Sequence, residues 1–332
     1  MEAYSLVVSS LTDWRPACGL DALRTRADLL ARIRLFFHSR NVMEVETPLL
    51  CASSATDPHL HSIQIDQWPA SSLKYLQTSP EFAMKRLLAA GSGPIFQICK
   101  AFRREERGRN HNSEFTMLEW YRPGFDDFQL MDEVGELISE VMLRLSGRTP
   151  SIERYSYQEL FDTWANIDPM SASTSEIASL ARSLTGIADV AVLGRDTCLD
   201  LIMTHAIEPK LAGRAVFVYH YPASQAALAK ISIIKGQAVA RRFELYVDGI
   251  ELANGYFELT NADEQLARFD RDNRYRADHG VPPVPPDQRL YAALTSGLPE
   301  CAGVALGIDR LLMAVCGAST IDEVLAFPEE RA

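Results

Sequence analysis

Residues 102 to 121, FRREERGRNHNSEFTMLEWY, crowd arginine, glutamate and aromatic side chains into one stretch. If its two flanks are extended, Arg103 and Glu105 point to one side of the first, while Phe115, Met117, Glu119 and Tyr121 share a face of the second. Turned toward a common cleft, they offer a guanidinium for a phosphate or carboxylate, an aromatic plate for a base, and a carboxylate with a phenol for a cation. That set suits a nucleotide together with an amine. Read as plain packing, the same stretch puts Phe115 and Met117 in a core and leaves Arg103, Glu105 and Glu119 in solvated ion pairs. Lys100, Arg103, Arg104, Arg107 and Arg109 are five basic residues in ten. They form either a solvated face or, on an acidic chain, an anion site.

Two other segments carry chemistry-bearing residues. Glu251 and Glu258 are candidates for a hard divalent cation, which takes one or two carboxylates beside nucleotide phosphates. They stand seven apart, an odd spacing that faces opposite sides of a regular strand, so a shared metal requires a turn or bulge at Asn254-Gly255. In GVALGIDRLL, residues 303 to 312, Gly303 and Gly307 admit close backbone approach. A helix starting near Gly307 would turn free N–H groups toward an anion, and Arg310 would add charge. The competing reading is packing, with Arg310 paired to Asp309.

The surrounding patterns indicate how these residues are positioned. DALRTRADLLARIRLFFHSR, residues 21 to 40, spaces Leu23, Leu29, Leu30, Ile33, Phe36 and Phe37 as one face of a helix. NVMEVETPLL follows as a strand, and Pro48 has it end at an edge or a bulge. After the short apolar run LKYLQ, Ser79, Pro80 and Glu81 mark a helix start in TSPEFAMKRLLAA, with Leu87 and Leu88 turned to a core. PIFQICKAFRREE and SEFTMLEWY read as a hairpin with a long basic loop. Helices are predicted near 127–145, 155–165, 174–184, 196–211 and 262–279, with a strand at AVFVYHYP. Strands are predicted over 238–260, broken at Asp248-Gly249 and Asn254-Gly255. Pro282, Pro283, Pro285 and Pro286 mark a loop.

With 332 residues, 47% hydrophobic and 23% charged, the chain has the composition of a folded globular protein and excludes a collagen-like, coiled-coil or mainly disordered one. A net charge of −11 disfavours non-specific adhesion to nucleic acid or an anionic membrane. Cys18, Cys51, Cys99, Cys198, Cys301 and Cys316 are scattered, which predicts reduced thiols with no disulfide and no zinc. The N-terminus lacks the pattern of a secretory signal, and no apolar run is long enough to span a bilayer. A cytoplasmic location is expected.

In their order along the chain, these segments resemble the class II aminoacyl-tRNA synthetase core. RADLLARIRLFFHSRNVMEVETPLL resembles its first motif, with Pro48 at the position associated with dimerisation. FRREE with HNSEFTMLEWY resembles the second motif and GVALGIDRLL the third. TSPEFAMKRLL, HNSEFTMLEWY and GIELANGYFELT are most similar to the lysyl branch. The resemblance implies an α+β fold, an antiparallel sheet flanked by helices. It further implies an N-terminal extension at 1–19 and a catalytic domain at 20–330, with a helical insertion at about 150–212 and no room for an anticodon-binding OB-fold. That missing space, and Ala305 where the lysyl enzymes usually have Gly, are most similar to truncated paralogues that attach (R)-β-lysine to a lysine of translation elongation factor P. The alternatives are a free-standing enzyme charging tRNA and an inactive paralogue acting as a binding module.

The resemblance also implies residue roles, with ATP and Mg²⁺ as cofactors. Arg103 would hold the α-phosphate and the substrate carboxylate, and Glu105 and Asn112 would line the nucleotide site. Phe115 would stack on adenine, Arg310 would cover its other face, and Gly307 would lie against the nucleotide. Arg104, which replaces the family's usual Asn or Asp, and Leu252 complete that set. Glu251 and Glu258 would bind Mg²⁺, Glu258 also neighbouring the substrate. Ser79, Pro80 and Glu81 would read the near amino group, Glu119 and Tyr121 the far ammonium, and Ala305 would shape the pocket. A homodimer is implied, with no stable tRNA complex and no membrane partner. Tyr256-Phe257 departs from the family's usual Phe followed by a small or polar residue.

Overall fold

Alternation along Glu114–Pro123 decides the architecture: Leu118 and Trp120 are buried in one core while Phe115, Met117, Glu119 and Tyr121 face a cleft on the opposite side. The computed structural model describes residues 14–65, 73–104 and 107–332. Its strands are β1 Met43–Glu44, β2 Leu50–Cys51, β3 Gln64–Ile65, β4 Lys74–Leu76, β5 Ile95–Phe102, β6 Glu114–Pro123, β7 Ile152–Ser156, β8 Ala215–Pro222, β9 Ile231–Ile234, β10 Gln237–Val247, β11 Ile250–Phe257 and β12 Cys301–Gly307. The helices are α1 Leu20–His38, α2 Glu81–Ala89, α3 Asp127–Ser146, α4 Tyr157–Trp164, α5 Thr174–Thr185, α6 Arg195–Ile202, α7 Ala262–Asp278, α8 Gln288–Gly297 and α9 Ile308–Cys316. The large sheet runs β1-β5-β6-β12-β11-β10-β8-β7, with β9 on β10, and β2-β4-β3 form a small second sheet. Pairing in the large sheet is antiparallel except at its ends, β1 with β5 and β7 with β8. This is the expected α+β sheet flanked by helices.

One face of the sheet carries α1, α3 and α9. Leu29, Ile33, Phe36 and Phe37 of α1 meet Leu130, Val134, Leu137 and Val141 of α3 and Leu311, Leu312 and Val315 of α9 over Phe96, Trp120, Phe243 and Val304. Each such large apolar side chain contributes about 1.5–3 kcal/mol on full burial. The other face is covered only at its ends. Toward β8, α4, α5 and α6 bury Tyr157, Phe161, Ile177 and Leu199 against Val216 and Val218. Toward β5, α2, α7 and α8 bury Met84, Leu88, Phe269 and Leu290 against Ile95 and Tyr121. Between these two covered ends the sheet is left open as the cleft. No helix among the described residues is long and apolar enough to cross a membrane.

Several expected elements differ in detail. NVMEVETPLL forms no single strand: β1 lies at the edge of the large sheet and β2 in the small one, with Pro48 between them. The first hairpin strand stops at Phe102, so Arg103 follows the strand, its N–H donating to Ser113 O at 2.9 Å. Pro80 takes the cap position of α2. The region expected as a helical insertion begins with β7, which pairs with β8, and the helix expected over 196–211 is α6 followed by a π turn, Met203–Ile207, and a 3-10 turn, Glu208–Leu211.

Asn254-Gly255 makes no break, because both residues lie inside β11 in unbroken pairing with β10 and β12. Gly255 serves packing: a Cβ there would lie 2.3 Å from the Phe243 ring. The irregularity falls at Leu252. Leu245 pairs with Ala253 but Tyr246 pairs with Glu251, so β11 carries one extra residue. Leu252 and Ala253 consequently both enter the core, and Glu251 joins Asn254, Tyr256 and Glu258 on the cleft side.

Candidate active site

The cleft has a volume of about 1600 Å³ and contains two differently built regions. At one end β6, β11 and α2 converge on a buried acidic pocket. Glu119 and Tyr121 sit two apart on β6, and the Tyr121 hydroxyl donates to Glu119 Oε1 at 2.7 Å. Glu119 is 2% exposed. Its other oxygen, Oε2, is buried without a hydrogen-bond partner among the described residues. Glu81 and Lys85, one turn apart on α2, pair at 2.6 Å, and Lys85 Nζ also lies 2.6 Å from Glu258 Oε2. Gly303 on β12 is the floor: a Cβ there would lie 2.3 Å from Tyr121 and 2.5 Å from Glu258 Oε1. Ala305, two residues on, pairs across strands with Glu119 and Asn254, placing its methyl beside the pocket. Ser79 Oγ accepts from the Glu81 N–H at 3.3 Å, and Pro80 lines the same wall.

Electrostatics follow from this burial. Loss of water raises Glu119 well above the usual carboxylate range, and the nearby Glu81 raises it further, against the Tyr121 hydrogen bond. Burial pushes Glu258 up to about 7 although Lys85 opposes the shift. Burial alone would lower Lys85, but the ion pairs with Glu258 and Glu81 hold its ammonium above the ordinary value.

The second region is cationic and aromatic. The Arg103 guanidinium lies 5.1 Å from the centre of the Phe115 ring. Arg310, from the first turn of α9, donates to Glu251 O at 2.8 Å and Asn110 O at 3.2 Å, and lies 2.5 Å from His111 Nε2. Gly307 is the cap residue of α9. Asp309 fixes the start of this helix: its Oδ2 accepts from Thr116 N at 2.7 Å, and its Oδ1 takes Arg26 of α1 at 2.5 Å. Arg310 therefore points into the cleft and not at Asp309.

Glu105 lies outside the described residues. Arg104 is exposed and lies outside the cleft lining, its N–H donating to His61 O at 2.7 Å. Asn112 lines the cleft, but its amide is engaged at both ends, donating to Glu114 O at 2.7 Å and accepting from Glu329 N at 3.1 Å. Leu252 borders the cleft while its side chain is buried in the core.

The two glutamates expected to share Mg²⁺ have different neighbours. Glu258 is tied to Lys85 in the acidic pocket, whereas the charge that most raises Glu251, after burial, is that of Glu244. Glu244 is the centre of a floor network. It accepts from Tyr221 at 2.5 Å, Tyr246 at 2.6 Å and Asn254 at 2.9 Å, and it pairs with Arg242. Lys85, Arg242, Glu244 and Asn254 were all missed in the sequence. The spacing of Glu81 to Lys85 and of Arg242, Glu244 and Tyr246 was visible, but each also fits an ordinary solvated face.

Residues 9–331 match the family described as tRNA synthetases class II (D, K and N). The chain belongs to that family. Among class II synthetase relatives, a protein of Pseudoalteromonas translucida (strain TAC 125), named elongation factor P–(R)-beta-lysine ligase, is 53% identical over 330 residues, covering 97% of this chain and 100% of its own. A protein of the same name from Vibrio vulnificus (strain YJ016) is 50% identical over 323 residues, covering 95% of this chain and 98% of its own.

Proposed function

We propose that this class II protein is an ATP-dependent ligase that activates (R)-β-lysine as its adenylate and transfers it to a lysine side chain of elongation factor P. The names of the two relatives support the substrates. The observation that carries the reading is the buried Glu119, whose unpartnered Oε2 needs a cationic donor, within one cleft with Arg103, Phe115 and Arg310. In this reading Glu119 and Tyr121 take the far ammonium, Glu81 and Ser79 lie by the near amine, and Ala305 trims the pocket beside Glu119. Phe115 supports the adenine, with Arg310 from the opposite side.

Attack of the substrate carboxylate on the α-phosphorus forms the acyl–phosphate bond and expels pyrophosphate. Arg103 and Arg310 offset the negative charge that gathers there and hold the reactants in line. No protein nucleophile is required. The amine of the acceptor lysine then attacks the acyl carbon, AMP leaves, and an amide is formed with loss of the amine's proton. Glu251, on the cleft side of β11, is the carboxylate that would hold a divalent ion, since Glu258 is occupied by Lys85 and Glu244 by Arg242, Tyr221, Tyr246 and Asn254. Mg²⁺ bound there would supply charge neutralisation for the phosphates.

We further propose a homodimer through the edge that holds Pro48, where Leu35, Met43, Leu49 and Leu50 are exposed. A cytoplasmic setting agrees with the six free cysteines, and a stable tRNA complex is not expected. Pyrophosphate exchange with α-lysine and with (R)-β-lysine tests the activation step, followed by acylation of elongation factor P. Exchange with (R)-β-lysine and transfer to the protein are expected. Exchange with neither isomer, or acylation of tRNA alone, would reject the proposal.

A further inference from the structure

Lys85 has no part in the chemistry proposed above, yet it lies buried behind the amine pocket, 2% exposed and tied to two of the carboxylates that line it. Lysine is almost never fully buried unless paired, and here it is paired twice, at 2.6 Å to Glu81 Oε1 and at 2.6 Å to Glu258 Oε2. These two partners come from different layers. Glu81 is on the same helix, α2, whereas Glu258 follows β11 on the sheet, so the ammonium ties the wall of the pocket to its floor. Glu119 completes the group from β6, its Oε2 still without a partner.

Three carboxylates crowded together drive one another to take up protons, and a protonated carboxyl is a poor acceptor for an ammonium ion. An internal cation relieves this. It also holds each carboxylate in one orientation, so that less ordering remains for the moment of binding. Once two bound ammonium groups draw all three carboxylates into their ionised form, one lysine leaves two negative charges, the number that such a substrate neutralises.

We propose that Lys85 is a positioning residue for the amino-acid substrate, acting through Glu81 and Glu258. Among the described residues its ion-pair partners are Glu81 and Glu258, neither of which belongs to the platform of Arg103 and Phe115, so its loss affects one substrate and spares the other. The inference rests on the reading of the cleft as an amine-activating site and adds to it the residue that organises the amine end.

The test compares Lys85→Gln, Lys85→Met and Lys85→Arg by calorimetric titration of the full-length protein with (R)-β-lysine and, separately, with ATP. Lys85→Gln and Lys85→Met should weaken (R)-β-lysine binding by about 30-fold or more, since a buried charge pair loses one partner. ATP binding should stay within about 3-fold of wild type, because its platform includes neither of the ion-pair partners of Lys85. Lys85→Arg, which keeps the charge, should recover much of the loss. If Lys85→Met fails to fold, the Gln and Arg variants decide the matter. Lys85→Gln matching wild type, or weakening both ligands equally, would overturn the proposal and leave the function intact. A wild-type protein that binds neither lysine isomer would overturn both.

Discussion

A carboxylate with one satisfied oxygen and one buried, unpartnered oxygen is held ready for a ligand, and Glu119 is in that state. Glu119→Gln keeps the side-chain shape and the Tyr121 contact but loses the charge. It should raise the amino-acid KM by roughly 10- to 100-fold with little change in the ATP KM, the difference between a charged and a neutral hydrogen bond. Equal losses for both substrates in steady-state assays would contradict the placement of the ammonium at Glu119. Glu258, which burial pushes up to about 7, adds a pH dependence. It must be ionised to hold Lys85 in place behind the amine pocket, and it gains its proton as pH falls. The amino-acid KM should therefore climb between about pH 8 and pH 6, more steeply than the ATP KM. At this scale the face shared by Phe115, Met117, Glu119 and Tyr121 was legible in the sequence, because strand alternation alone sets it. Lys85 was not legible: within PEFAMKRLL a lysine four residues after a glutamate reads as a solvated helix pair, and only the arrival of Glu258 from another element makes it internal.

At the scale of elements, helix faces and the hairpin could be read directly, since α1, α3, α5 and the β5–β6 pair follow local periodicity. What escaped depends on partners distant in sequence. The odd spacing of Glu251 and Glu258 called for an irregularity at Asn254-Gly255 only if the two share a metal, whereas the extra residue falls at Leu252, a position set by pairing with β10. The strand expected over NVMEVETPLL divides into β1 and β2 because its two ends pair in different sheets, and β7 was hidden by the helix that follows it. The junction of α1, α9 and β6 at Arg26, Asp309 and Thr116 is likewise a long-range contact. Arg26→Met would leave Asp309 buried, 2% exposed, with its charge unpaired. The expected loss is about 3 kcal/mol, seen as a lower urea midpoint at unchanged m-value. A midpoint equal to wild type would show that the pair is not worth its burial.

For the whole molecule, the cleft draws residues from Pro48 to Ile321 into one hollow, so a ligand spanning it should stabilise the entire fold. A non-reactive sulfamoyl analogue of β-lysyl adenylate, at roughly a thousand-fold excess over its dissociation constant, should add about 4 kcal/mol of stability. Thermal unfolding measures this directly, and an analogue that binds without raising the midpoint would contradict a single connected site. The place of β12 carries a different consequence. Strand β12, formed by residues 301 to 307, lies between β6 and β11 in the middle of the large sheet. During synthesis, every earlier strand leaves the ribosome before this one exists. The growing polypeptide therefore holds two half-sheets with raw hydrogen-bonding edges at β6 and β11, the kind of edge that recruits the wrong neighbour. A stop codon just ahead of residue 301 would thus remove less than a tenth of the chain and yet yield insoluble material, because the keystone of the sheet is the last strand to be made.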